Sequence, residues 1–415
     1  MQMKYADLIN KCLVLLFALL MLNACSSPMR RSAAPANLQA SAEIPGMPGV
    51  RYTPVSAKGI EAMTKEGMDA FNKEKAYLES TGHQGPLPPA NFLAVSGGGD
   101  DGAFGAGLLN GWTASGTRPE FKLVTGVSTG ALIAPFAFLG PNYDKILSEV
   151  YTQVTPKDIA EARGVLAAVF DDAMADNSPL MNLIKKHVNQ PMLDAVAAEY
   201  AKGRLLLVGT TNLDTRLPTI WNLTKIAASK DPKALELFQR LMIASASIPG
   251  AFPPAMIDVE AGGVPYQEMH VDGGATSQVF VYPPALNIKK FSESQGVQRE
   301  RKLYIIRNAR LDPDWASVDR KTLTIVQRAI SSLIQMQGVG DLYRIYATAE
   351  KDGLDYNLAF IPGSFNTPHK EEFGTEYMRS LYDVAYKMAE NGYPWQKTPP
   401  GYVVPADSKG LGGAQ

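Results

Sequence analysis

Three glycine-rich clusters hold the residue types that could do chemistry. The first is Gly126-Val127-Ser128-Thr129-Gly130. A serine centred in GxSxG between a strand and a helix sits on a turn too tight for flanking side chains. Its Oγ stands free at the helix N-terminus, where a nucleophile is useful. The second is Gly97-Gly98-Gly99-Asp100-Asp101-Gly102. Consecutive glycines let backbone N–H groups crowd around a small anion, as stabilisation of a developing oxyanion requires. Chance gives only about 0.02 GGGxxG runs in a chain of this composition. The third is Asp272-Gly273-Gly274, an acid on a sharp turn at a strand end. Ligands of α/β sheets bind at such strand ends.

The elements around these clusters are those that acyl chemistry needs. Residues 92–96 form a short apolar run, the pattern of a buried strand, and lead into the glycine loop. Residues 103–115 read as a helix, 121–127 as a second strand and 129–139 as an apolar helix. This strand–loop–helix–strand–turn–helix order predicts an α/β fold with a mainly parallel sheet. Further strands are expected at 204–212, 302–308 and 358–361, with another ending at 269–271. Helices are expected at 58–80, through most of 144–201, and at 232–246, 317–350 and 376–390. A dinucleotide-binding GxGxxG is the rival reading of the glycine loop. It needs an acid at the end of the second strand, but Glu120 precedes that strand, and Asp100 and Asp101 would repel a pyrophosphate.

Composition narrows the class. The 415 residues are 46% hydrophobic and 20% charged, with 40 Lys+Arg against 41 Asp+Glu. That suits a packed globular body and excludes both disorder and a multi-span membrane protein. The near-zero net charge offers no field for nucleic acid. The two cysteines, Cys12 and Cys25, and four scattered histidines make no metal-ligand spacing, so neither metal nor cofactor is expected.

The N-terminus reads as an address. Lys4 and Lys11 precede an apolar run at 12–22, too short for the ~20 residues of a membrane span. It ends in Leu22-Asn23-Ala24-Cys25, which resembles the bacterial lipobox. That resemblance implies a lipoprotein signal peptide at 1–24 and lipid on Cys25. With Ser26 next, it implies delivery to the outer membrane. Residues 25–55, rich in Ser, Ala, Pro and Gly, are expected to be a flexible tether. The folded domain is then 56–398, with a C-terminal helical cover, and 399–415 is a tail.

The three clusters in this order resemble the patatin-like phospholipase family. Gly97–Gly102 matches its oxyanion loop, Gly126–Gly130 its nucleophile elbow and Asp272-Gly273-Gly274 its DG[AG] motif. Residues 244–254 are similar to its loop before the last strand. The resemblance implies a three-layer α/β/α fold and a Ser–Asp dyad acting on lipid esters. Ser128 would be nucleophile, Asp272 base, and the Gly98 and Gly99 amides the oxyanion hole. The family usually has Lys or Arg where this chain has Asp101. Two bare carboxylates there would disfavour a nearby anion by about 4 kcal/mol at 4 Å, predicting a preference for neutral or zwitterionic esters. Two alternatives stand beside this: an α/β-hydrolase triad Ser128–Asp272–His369, and a non-catalytic envelope lipoprotein. His270, two residues before Asp272, reads as structural, and His369 as a solvated loop residue.

Overall fold

The computed structural model describes residues 30–163, 171–312 and 315–403. The expected signal peptide and Cys25 lie outside the described residues. The strands are β1 (Arg51–Tyr52), β2 (Ala90–Val95), β3 (Leu123–Val127), β4 (Glu161–Ala162), β5 (Ala175–Asp176), β6 (Leu205–Asn212), β7 (Leu217–Asn222), β8 (Ala255–Ala261), β9 (Val264–Asp272), β10 (Arg301–Arg307) and β11 (Asp355–Phe360). Helices around them include α1 (Ala57–Ser80), α2 (Gly102–Ala114), α3 (Thr129–Leu139), α4 (Asp144–Thr152), α5 (Ser178–His187), α6 (Ala234–Ser245), α7 (Thr322–Asp352) and α8 (Thr375–Glu390).

Nine strands make one sheet in the order β1-β7-β6-β3-β2-β10-β11, with β9 paired to β6 and β8 to β9. From β6 to β11 all neighbours are parallel. The additions at the other side, β7, β1, β9 and β8, are antiparallel. The middles of the parallel strands are largely apolar because both faces are covered. Leu108 of α2, Ile133 of α3 and Leu381 of α8 pack with Val95, Val124 and Val208 on one face. Met63 of α1 and Leu342 of α7 pack with Ala94, Leu207 and Ile305 on the other. This is the three-layer α/β/α architecture expected. It sends the glycine loop after β2 and Ser128 after β3 to the same carboxyl edge of the sheet.

The hairpin β8–β9 is longer than the sequence suggested. Only its end at 269–271 was legible. Ile257, Val259 and Ala261 are buried while Asp258 and Glu260 face water, so no continuous apolar run marks β8.

The tether is a correction. Residues 30–55 pack on the body as an irregular strap. Ala34, Ala42, Ile44, Met47 and Val50 are buried in the main core. Arg30 forks onto both carboxylate oxygens of Asp214 at 2.9 Å each, and β1 extends the sheet beside β7. Arg51 pairs with the buried Glu268. The strap has almost no regular secondary structure, so its apolar residues follow no period. The tail also starts later than expected: Tyr343 Oη donates to the Pro400 carbonyl at 2.8 Å, and the Tyr402 ring packs on Tyr346. The packed body thus reaches from at least residue 30 to residue 402.

Candidate active site

Ser128 sits between β3 and α3 at φ 55°, ψ −127°. That conformation costs a non-glycine residue about 1–3 kcal/mol and has to be over-determined by its surroundings. Its neighbours supply the constraint. A Cβ on Gly126 would lie 2.3 Å from the Gly130 oxygen, and one on Gly130 would lie 2.2 Å from the Val95 oxygen. The Ser128 amide donates to Ser245 Oγ at 3.0 Å, and that hydroxyl donates to the Gly209 carbonyl at 2.7 Å. Ser245 closes α6 and pins the elbow to β6. The sequence marked its segment only by resemblance.

Asp272 ends β9, buried, opposite Thr210 of β6. Its amide donates to the Ser247 carbonyl at 2.8 Å. Its Oδ1 accepts the Gly274 amide at 2.7 Å. Burial pushes its pKa up to about 6, against the opposing pull of hydrogen bonds from the Ser128 side chain and the Gly274 amide. The structure therefore brings Ser128 and Asp272 together from clusters far apart in sequence. Gln278 joins the third cluster to the second: its Nε2 donates to the Gly274 carbonyl at 2.8 Å, and its carbonyl accepts the Gly97 amide at 3.0 Å. No sequence signal singled out Gln278.

Gly98 and Gly99 follow β2, with Gly99 at φ 59°. A Cβ on Gly98 would lie 2.0 Å from the Asn308 oxygen. Among the described residues neither amide has a hydrogen-bond acceptor. Asn308 fixes the loop from both sides. Its Nδ2 donates to the Ser96 carbonyl at 2.9 Å, and its Oδ1 accepts the Gly105 amide at 3.0 Å. Gly102 opens α2, and Gly273 and Gly274 turn the chain after Asp272.

The acids of this loop are not bare. Asp100 is buried, and its Oδ2 meets His369 Nε2 at 2.7 Å and accepts the Phe373 amide at 2.8 Å. Burial opposes charge on His369, but the Asp100 hydrogen bond and charge outweigh it and raise the imidazole pKa. Asp101 Oδ1 accepts from Tyr377 Oη at 2.5 Å. Its carboxyl is pushed up to about 6, chiefly by burial. Glu372 is also raised, by burial and by the charge of Asp100. Asp100, His369 and Glu372 could hold a cation, since their ligand atoms lie within 4.8 Å of one another. Two expectations change here. His369 is an exposed loop residue, as expected, but it bonds Asp100 rather than Asp272, so the Ser128–Asp272–His369 triad is not assembled. The ~4 kcal/mol repulsion also assumed unpaired carboxylates, and the pairing removes most of its basis. His270 is fully buried on Thr210, Glu268 and the Trp221 ring.

An apolar pocket, partly open to solvent, begins at Ser128, Gly99 and Asp100. Leu132 and Phe136 of α3, Val150 of α4, Ile184 of α5, Met242 of α6 and Phe252 line it. The walls from α4, α5 and α6 come from ordinary amphipathic helices that carry no motif.

Residues 93–284 match the family Patatin, described as patatin-like phospholipase. The chain carries a patatin-like phospholipase domain. All three clusters lie inside the matched span. No curated protein matches the chain. Among solved structures, VipD from Legionella pneumophila is similar at 12% identity and a TM-score of 0.35, over 74% of this chain and 67% of its own. Pseudomonas aeruginosa ExoU, in complex with SpcU, is similar at 12% identity and a TM-score of 0.33, over 74% of this chain and 52% of its own. Human GIVD cytosolic phospholipase A2 is similar at 10% identity and a TM-score of 0.31, over 82% of this chain and 63% of its own. The chain thus spans about half the length of ExoU. At these scores the structural likenesses add nothing to the reading of the patatin-like site.

Proposed function

We propose that the patatin-like domain is a serine acyl hydrolase that cleaves carboxylic esters of lipids through a Ser128–Asp272 dyad. The observation that carries this reading is a strained serine beside a buried, raised-pKa aspartate at the head of an apolar cavity. Ser128 Oγ attacks the ester carbonyl as Asp272 takes its proton. The Gly98 and Gly99 amides receive the tetrahedral oxyanion. The proton passes from Asp272 to the departing alcohol, leaving an acyl-enzyme. Water then attacks that ester by the same proton path, frees the acid and restores Ser128. An acyl chain fits the apolar cavity, which has few groups to bind a polar one. Hydrolysis of an aryl ester by the full chain, with Ser128→Ala as control, tests the reading. Turnover that survives in Ser128→Ala contradicts it.

The address belongs to the same proposal. Cys25 carries lipid and holds the domain on the outer membrane of a bacterial envelope. The lipobox-like Leu22-Asn23-Ala24-Cys25 supports this. Mass spectrometry of the N-terminal peptide tests it, and an unmodified Cys25 contradicts it.

A further inference from the structure

The first half of α7 is built inside out. Its second half packs on the sheet through Leu342, Ile345 and Ala349. The same helical stripe, continued toward the N-terminus by steps of three and four, runs through Gln335, Arg328 and Thr324. All three are half-buried, and Gln335 Nε2 donates to the Arg310 carbonyl at 3.0 Å. The solvent side instead carries Ile325, Val326, Ile330, Leu333 and Met336, exposed by 47–71%. A helix that meets only water shows the reverse arrangement. Trp315, just before the helix, is 87% exposed. An apolar patch of this kind, with an exposed tryptophan, marks a surface that meets something other than water.

Topology says where this surface sits. The helix leaves the carboxyl edge after β10 and returns to the amino edge, where β11 starts beside Lys302. Asp341 is level with the catalytic turn, because its Oδ2 accepts the Gln278 amide at 2.6 Å while Gln278 holds Gly274. The preceding four turns therefore reach about 20 Å past the sheet edge that carries Ser128. Arg30, the first described residue, lies at that edge too. It is fixed to Asp214, just after β6. It is five residue steps from Cys25, at most about 18 Å of chain.

We propose that the exposed apolar face of α7, with Trp315, docks the domain on a lipid bilayer and holds the Ser128 cavity toward it. The helix lies on the surface and does not span it, since no described helix is long and apolar enough to cross a membrane. Lys321 pairs with Asp319 and Arg328 lies on the packed stripe, so the apolar side chains rather than charge carry the docking. The choice of a bilayer over a protein partner rests on the lipid reading of the Ser128 site, but docking itself needs no turnover.

The test uses the full chain with Ser128→Ala, so a failure of the enzymatic reading does not affect it. Of the four tryptophans, Trp112 and Trp221 are buried and Trp395 packs against the core. Vesicles of phosphatidylcholine with one-third phosphatidylglycerol should shift the emission to the blue, and Trp315→Phe should abolish the shift. The variant Ile330→Ser/Leu333→Ser should lose about tenfold or more of its vesicle binding. In the otherwise wild-type chain, the same two changes should leave hydrolysis of a soluble aryl ester intact. Emission unchanged by vesicles, or equal vesicle binding by the variant, overturns the proposal. So does a stable dimer that the variant makes monomeric, since a second copy would then cover the face.

Discussion

Asp272 and Asp101 are both largely buried carboxyls with pKa values pushed up to about 6, yet they belong to different parts of the patatin-like site. Asp272 is held by its own turn, through the Gly274 amide, and faces Ser128. Asp101 and its neighbour Asp100 are held by residues from the far end of the chain, Tyr377, His369 and Phe373. The same burial thus gives one acid a proton-transfer partner and gives the other two a fastening role. A raised pKa marks an unusual environment, and geometry decides what it is for.

The largest effect should separate the two regions. Asp272→Asn removes the base and should lower kcat on an aryl ester by about 10²–10⁴-fold. Gly98→Ala should come next. Its Cβ would meet the Asn308 oxygen and move the oxyanion donors, for a loss of about 10²–10³-fold. The remaining predictions sharpen the contrast. Activity should rise with pH through about 6, because Asp272 must be ionised to accept a proton. Asp101→Asn should leave that acidic limb in place, and a limb that vanished with Asp101 would reverse the two assignments. The smallest effect concerns headgroups. With Asp100 and Asp101 paired, phosphatidylglycerol and phosphatidylcholine at equal surface density should be hydrolysed at rates within about threefold, a difference of under ~1 kcal/mol.

Stability gives a separate check on the strap. Burial alone would raise the Glu268 pKa, but the His270 hydrogen bond and the Arg51 guanidinium hold it down at about 2. That stabilisation is complete above the unfolded value of about 4.3 and is lost as pH falls toward 2. Arg51→Met leaves Glu268 buried without its cation and should cost about 3–5 kcal/mol in denaturant unfolding. A flexible strap would give no measurable change.

What was legible in the sequence follows from how local each feature is. The elbow, the glycine loop and the Asp272 turn are built from adjacent residues whose backbone demands appear as glycines. The parallel strands appear as apolar runs because both faces are covered. Ser245, Gln278 and Asn308 were missed because each acts through one hydrogen-bonding group across a long sequence gap, and such a residue looks like any polar residue. The pairing of His369 was missed for the same reason, since its partner Asp100 lies 269 positions away. The strap was missed because an irregular segment buries its side chains without a period.

The most direct test of the dyad is labelling by a fluorophosphonate, which reports on the activated serine whatever the natural ester is. Mass spectrometry would follow the rate of adduct formation on the Ser128 peptide at pH 8 in three chains. The wild type and His369→Gln should react at similar rates, and Asp272→Asn should react about 10²–10⁴-fold more slowly. Slow labelling of His369→Gln together with fast labelling of Asp272→Asn would contradict the dyad.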